Sequence, residues 1–426
     1  MPIATIPFSI VFLLQAAKSC LFCFLGPKNG RLSYEKSMSS KLMNTYGARS
    51  LTLVKGEGAT LWDDQGNQYL DALAGIAVCG LGHAHPAVTK AISEQAGQLL
   101  HVSNLYNLPP QQKLADQLTA LTGMDQVFFS NSGAEANEAA IKIARKYGND
   151  NGVANGQIIV AQGSFHGRTL ATLSATGNPK VHAGFEPLVA SFIRVPYDNI
   201  EAMQKAISEN SNVVAVFVEP VQGEGGVHVP ADDYLSRIRQ LCTDNGLLMM
   251  LDEIQTGNGR TGKPFACQHS GVLPDVLTTA KGLGNGAPIG ACLTSGLGNG
   301  VLVPGNHGST FGGNPLSCSA ASAVLTTLIE ENLCERVTEL GDYFLKAFAD
   351  SLSDCVIVKD IRGQGLMIGI ELDRPCTELV AQAQAKGLLI NVTVGNTIRL
   401  LPPFIISDAE AQQIVQTVSD IIKAFA

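Results

Sequence analysis

The sequence has little charge and no excess of the positive sign. Only 15% of its 426 residues are charged, and 29 Lys plus Arg face 37 Asp plus Glu, a formal net charge of −8. Without a large basic block, the chain is a poor candidate for nucleic-acid binding, where phosphate neutralisation dominates affinity. Apolar residues make up 45% of the chain, too many for a disordered one. A single Trp and scattered glycines exclude collagen and most low-complexity architectures. Among ten cysteines only Cys20 and Cys23 form a CxxC, and no second pair completes a zinc pattern. The others lie mostly in apolar stretches such as Gly290–Leu293 and read as reduced, buried thiols of a cytosolic protein. No repeat occurs beyond two Gly-Leu-Gly-Asn-Gly strings, at 282–286 and 296–300, which flank a strand-like run and read as turns.

The length suggests two or three domains at roughly 150 residues each. Glycine is abundant: 44 residues, about a tenth of the chain against a usual share of about 7%. In a globular chain that implies many tight turns and close backbone approaches.

Residues 1–40 differ from the rest. Pro7 to Leu25 is almost continuously apolar, but no basic segment precedes it, the first Arg is Arg31, and Lys18 lies inside it. A secretory signal, an organelle presequence and a spanning helix therefore each fit badly. Three readings stay open: translation starting at Met38 or Met43, a weak signal or anchor, or an organelle presequence. Cys20 and Cys23 receive no role.

Beyond residue 40 the pattern is regular. Thr60–Asp71 reads as a hairpin around Asp64-Gln65-Gly66, and Pro86–Leu99 as an amphipathic helix. Gln126–Phe129 is a short strand, and Ala134–Lys146 a strong helix. The apolar runs Ile158–Val160, Val213–Val218, Leu247–Leu251 and Val276–Thr278 are bounded by turn residues, and most alternate with helical patterns such as Leu235–Cys242. This predicts an α/β fold with a large, mostly parallel sheet covered by helices. A helix over Leu316–Asn332, short strands (Val356–Arg362, Leu366–Leu372, Leu388–Asn391, Thr397–Leu401) and a final helix from Asp408 predict a smaller α+β domain.

Several motifs invite chemistry and lose it on inspection. Gly257–Pro264 nearly matches GxxxxGK[ST], but Pro264 has neither a hydroxyl for Mg²⁺ nor an N–H to donate. The glycines at 282–290 do not form GxGxxG. His83 and His85 sit in a Gly/Pro turn without further metal ligands.

Three features are stronger. Ser130–Glu135 is a small-residue turn leading into a helix, which makes either a plain N-cap or an anion cradle. The buried strand Leu247–Leu251 runs into Asp252-Glu253, a place where α/β proteins bind ligands, though a cap or an ion pair would look the same. Val276–Thr278 ends near Lys281, which small neighbours leave room to bond a ligand; a solvated lysine is the plain alternative. Together they match pyridoxal 5′-phosphate. That cofactor carries a phosphate, a pyridine nitrogen that must stay protonated and an aldehyde that condenses with a lysine. A nearby carboxylate raises the affinity of that nitrogen for its proton.

Ser132–Glu138, Phe165–Thr169, Glu219–Gly226, Asp252–Gly257, Ala280–Gly284 and His307–Pro315, in this order, resemble the class III pyridoxal-phosphate aminotransferases over about residues 43–426. Within that class the motifs are most similar to those of the acetylornithine aminotransferases. The resemblance implies a fold-type I enzyme: residues 41–80 as the first part of a small domain, 81–315 as the large cofactor domain and 316–426 as the rest of the small one. Residues 1–40 fall outside the pattern.

The resemblance also implies roles. Gly133 and Ala134 hold the phosphate, Phe165 stacks on the ring, Asp252 pairs with the ring nitrogen and Gln255 donates to the 3-oxygen. Lys281 bonds the cofactor and shuttles the proton. Thr310 reaches the other subunit's phosphate in a homodimer. Arg168 and Ser309 bind substrate, and Glu224 masks Arg399 until a dicarboxylate arrives. The implied reaction passes the δ-amine of N2-acetylornithine to 2-oxoglutarate, in the cytoplasm and in arginine biosynthesis, with no metal and no nucleic-acid or membrane partner. Ornithine, succinylornithine, succinyldiaminopimelate and 4-aminobutyrate remain alternative substrates, and a non-catalytic member of the fold is the rival of a different kind.

Overall fold

A computed structural model describes residues 41–47 and 49–426. The expectations for Pro7–Leu25, Cys20 and Cys23 lie outside those residues. The chain divides into two units, up to Leu51 and from Thr52 onward. In the first, the Arg49 guanidinium stands 5.8 Å from the centre of the Tyr46 ring.

The second unit opens with an antiparallel meander, β1 (Leu53–Glu57), β2 (Thr60–Asp63) and β3 (Gln68–Asp71). Asp63 makes the expected turn, because its Oδ1 accepts from the N–H groups of Gln65 and Asn67. The central sheet has seven strands: β4 (Gln126–Ser130), β5 (Gln157–Ala161), β6 (Phe192–Val195), β7 (Val213–Val218), β8 (Leu248–Asp252), β9 (Val276–Thr279) and β10 (Gly290–Thr294). Their order is β4-β10-β9-β8-β7-β5-β6. All pairs are parallel except those of β10, which runs antiparallel to both β4 and β9.

β7 shows why such strands read as unbroken apolar runs. Val213, Val216 and Val218 pack into the layer on one face, and Val214, Ala215 and Phe217 into the layer on the other. With helices on both faces, alternation has nothing polar to alternate with.

A third sheet closes the chain: β11 (Val358–Gln364), β12 (Met367–Leu372), β14 (Asn391–Thr393) and β15 (Thr397–Leu400), in the order β11-β12-β15-β14. The expected strand over 388–391 is divided. β13 (Leu388–Leu389) joins β3 in parallel, while β14 pairs with β15. The residue between them, Ile390, is buried in the core beneath. That core gathers side chains from the helices Pro315–Glu330, Leu333–Ser351 and Asp408–Phe425.

Among the described residues no helix is long and apolar enough to cross a membrane. The described cysteines are free thiols, and Cys242, Cys267, Cys292, Cys318 and Cys376 are buried.

Candidate active site

The strands β4, β7, β8 and β9 end around one cavity of about 400 Å³, lined among others by Gly133, Ala134, Phe165, Arg168, Glu224, Asp252, Gln255 and Lys281. Each residue arrives for a local reason.

The helix Gly133–Asp150 starts at the cavity. Ser132 is its N-cap, and its hydroxyl accepts from Glu135 N, while the Ser132 carbonyl accepts from Ala136 N. The plain N-cap reading therefore holds, and the cradle reading survives beside it. The Gly133 and Ala134 N–H groups keep no partner among the described residues, as donors of a first helical turn do. Glycine is required at 133, because a Cβ there would stand 2.8 Å from the Ile254 side chain.

β8 delivers Asp252 and Glu253 to opposite sides, as the two-residue period of a strand demands. Asp252 is buried and lines the cavity. Its Oδ2 accepts from Asn137 Nδ2 and His166 Nδ1, each at 2.8 Å, and its Oδ1 from Ile254 N. A carboxylate only accepts, so His166 carries its proton on Nδ1. Asn137 is held in turn by Thr278 Oγ1 at 2.7 Å, and the His166 ring stacks on Phe217, with centroids 4.4 Å apart. Glu253 points away and accepts from the N–H groups of Ala266 and Cys267 and from Thr256 Oγ1. It caps a 3₁₀ turn, which is the plain role that either carboxylate could have had.

Lys281 follows β9 at φ +43°, in the left-handed region that non-glycine residues avoid. Such a conformation persists only where the surroundings impose it, and it clusters at functional sites. Burial pushes the Lys281 amine below the ordinary lysine value. Arg399 adds to this, while Glu224, Asp252 and Glu219 oppose it.

Glu219 and the Asp252 partners Asn137 and His166 lie inside the motifs that carry the resemblance, but the sequence reading gives them no role. Glu219 directly follows β7, lines the cavity and accepts from the N–H groups of Phe165 (3.1 Å) and Gly223 (3.4 Å). Burial, helped by the Asp252 charge, raises its proton affinity well above the usual carboxyl range. Its signal was present, as the first carboxylate after a buried strand. Asn137 gave none of its own beyond membership of the Ser132–Glu138 motif, because it stands one turn into a helix.

Glu224 and Arg399, 175 residues apart, meet at 2.6 Å. Arg399 is fully buried on β15 and also donates to Asn391 Oδ1 and Gln255 Oε1. Burial raises the Glu224 carboxyl, but Arg399, with Lys281 and Gln255, outweighs this and leaves it below its ordinary value. Arg168 is exposed, with its guanidinium 5.6 Å from the centre of the Phe165 ring.

Ser309 and Thr310 do not line this cavity. They line a neighbouring hollow with His307 and Phe311, and only Asn131 reaches both, its Nδ2 donating to Ser309 Oγ. The false phosphate loop at 257–264 is a turn whose Arg260 is buried. That guanidinium donates to the carbonyls of Leu366 and Pro402 and lies 4.5 Å from the centre of the Phe404 ring.

The chain has close relatives. Acetylornithine aminotransferase of Nitrosomonas europaea is 54% identical over 91% of this chain and 98% of its own. That of Methanothermobacter thermautotrophicus is 48% identical over 89% and 96%. Among solved structures, the ornithine aminotransferase of Toxoplasma gondii superposes with a TM-score of 0.87 at 35% identity, over 89% of this chain and 92% of that one. The acetylornithine aminotransferase of Elizabethkingia anophelis gives 0.79 at 35%, over 89% and 96%. The expected fold with its large, mostly parallel sheet is that of these enzymes. The family described as aminotransferase class-III matches residues 43–422, and the chain belongs to it.

Proposed function

We propose that the chain is an acetylornithine aminotransferase that uses pyridoxal 5′-phosphate. The observation that carries the reading is the convergence on one cavity of two unpartnered helix N–H groups, a fixed buried carboxylate and a buried lysine. The residues present fit that cofactor: an anion cradle for its phosphate, an acceptor for its ring nitrogen and an amine for its aldehyde. When bound, it supplies an electron sink for charge developing on the substrate carbon.

The chain's own residues do the rest. Gly133 and Ala134 bind the phosphate through their N–H groups, and Phe165 covers the ring. Asp252 keeps a proton on the ring nitrogen, while Gln255 donates to the 3-oxygen. Lys281 Nζ holds the cofactor and, once displaced by substrate, moves the proton from the substrate carbon as a general acid–base. A lysine with lowered proton affinity suits that task. Arg168 pairs with a substrate carboxylate. Glu224 occupies Arg399 while the diamine reacts and releases it to 2-oxoglutarate.

Ser309 and Thr310 serve the partner's site in a homodimer. The supporting surface is an apolar patch beside Thr310: Leu100, Leu105, Tyr106 and Phe311 are exposed. Asn104 ties that patch together through the carbonyls of Ser309 and Gly312. We read 81–315 as the cofactor domain and 41–80 with 316–426 as the smaller one, a reading supported by the β3–β13 pairing. The step belongs to arginine biosynthesis in the cytoplasm.

The structural likeness to ornithine aminotransferases supplies the second reading. A substrate panel at matched concentrations separates the two. We expect kcat/KM to be highest for N2-acetylornithine with 2-oxoglutarate, and a preference for free ornithine overturns the first reading.

A further inference from the structure

The Gln255 carboxamide sits between the two halves of the Glu224–Arg399 pair. Its Oε1 lies 3.3 Å from Arg399 Nη1, and its Nε2 lies 3.5 Å from Glu224 Oε1. A guanidinium can only donate, so chemistry fixes the oxygen end towards Arg399. The NH₂ end then has two hydrogens and one long contact. The amide is also caged: a Cβ on residue 223 would stand 2.1 Å from Gln255 Oε1, so only glycine lets it sit there. Gln255 is buried and lines the same cavity as Asp252 and Lys281.

We propose that Gln255 relays the state of the Glu224–Arg399 pair to the ring of the bound cofactor. With the pair closed, Arg399 holds the amide and Glu224 shares its NH₂ group. When a ligand carboxylate takes Arg399 and Glu224 withdraws, both N–H groups are released to the ring oxygen beside the carbon that Lys281 bonds. The gate would otherwise only admit a substrate; through Gln255 it also retunes the chemistry for that substrate. The inference rests on the pyridoxal-phosphate reading above.

The consequence is spectroscopic. A donor at the ring oxygen competes for the proton shared between that oxygen and the Lys281 nitrogen, so stronger donation moves the titration of the holoenzyme's visible band to lower pH. The other ionisable groups around the cavity are Glu219, Glu224, Asp252, Arg168, Arg399 and His166, the last bonded to Asp252. Their through-space effects, and that of the ligand's own charge, are common to any pair of proteins differing only at residue 255.

The test is a pH titration of that band in wild-type and Gln255→Leu holoenzymes, with and without glutarate, a dicarboxylate that cannot react. We expect the glutarate-induced shift to be more downward in the wild type by about half a pH unit, the size of one ordinary hydrogen bond. Equal shifts in the two proteins overturn the relay. If the Leu variant does not hold cofactor, Gln255→Asn, which withdraws the amide by one methylene, makes the same comparison. A wild-type protein with no visible band overturns the cofactor reading itself, and the relay with it; a band that glutarate leaves unmoved at every pH overturns the relay alone.

Discussion

At the scale of the residue, neighbouring identical chemistries receive different work. Asp252 and Glu253 are both buried carboxylates at the end of one strand. One meets Asn137, His166 and the cavity; the other meets only backbone donors and a threonine hydroxyl. No property of either side chain decides this. The pleat does, by sending successive residues to opposite faces. Lys281 is decided more harshly, by a left-handed backbone that the surrounding turns impose. We expect Lys281→Ala to lower kcat by about 10³-fold or more, the size of a lost nucleophile and general acid–base. The same variant should lack the visible lysine-linked cofactor band that borohydride removes in the wild type. Normal turnover would show that another group carries the proton.

At the scale of the element, capping was legible and pairing was not. Ser407-Asp408-Ala409-Glu410 is a capping box in sequence and in fact: Ser407 Oγ accepts from Glu410 N, and Glu410 Oε2 accepts from Ser407 N at 2.8 Å. It starts the helix Asp408–Phe425, which seals the C-terminal core. Ser407→Ala should cost about 1 kcal/mol, read as a fall in the urea midpoint with an unchanged slope. The strand expected at 388–391 shows the limit. Its residues read as one run, yet β13 and β14 pair in different sheets, because partners far away in the chain claim each half. The segment Ala74–Ala77 was less legible still. Its four residues have φ between 49° and 66°, one turn of left-handed backbone. Only Gly75 among them favours that region, and Ile76, being β-branched, resists it. Asp71 holds the entrance by accepting from the N–H groups of Leu73 and Ala74.

At the scale of the whole molecule, two effects depend on distant parts meeting. His83 Nε2 lies 2.8 Å from Asp71 Oδ2, which fastens the meander to the loop before the helix Pro86–Ala96. The hydrogen bond to Asp71, then the one to Cys79, raise His83 from 6.5 to about 9. The stabilisation is therefore complete below pH 6.5 and is lost as pH rises through about 9. Across that window the melting temperature of the wild type should fall more steeply than that of His83→Gln. Parallel curves would mean that His83 titrates alike in the folded and unfolded states. The second effect is assembly. Leu105 is 85% exposed within the apolar patch beside Thr310. Leu105→Asp should shift the protein towards the single chain in sedimentation equilibrium, and a wild type that sediments as a single chain at all concentrations would remove the homodimer.

What the sequence determined by itself is local or chemical. Apolar runs bounded by turn residues gave the parallel strands, because burial on both faces leaves no alternation to misread. The cradle at Ser132–Ala134, the carboxylate that ends β8 and the lysine after β9 were legible, since each stands where a strand meets a helix or turn and needs a particular residue type there. What only the tertiary structure decided is which of these groups face one another. It chose Asp252 over Glu253, brought His166 and Glu219 to the cavity wall and set Asn137 behind Asp252. It closed Glu224 on Arg399 across 175 residues, and it left Ser309 and Thr310 beside a different hollow. The physical reason is range. Caps, turns and pleats act within a few residues, whereas the cavity is bounded by side chains whose spacing in the chain says nothing of their spacing in space.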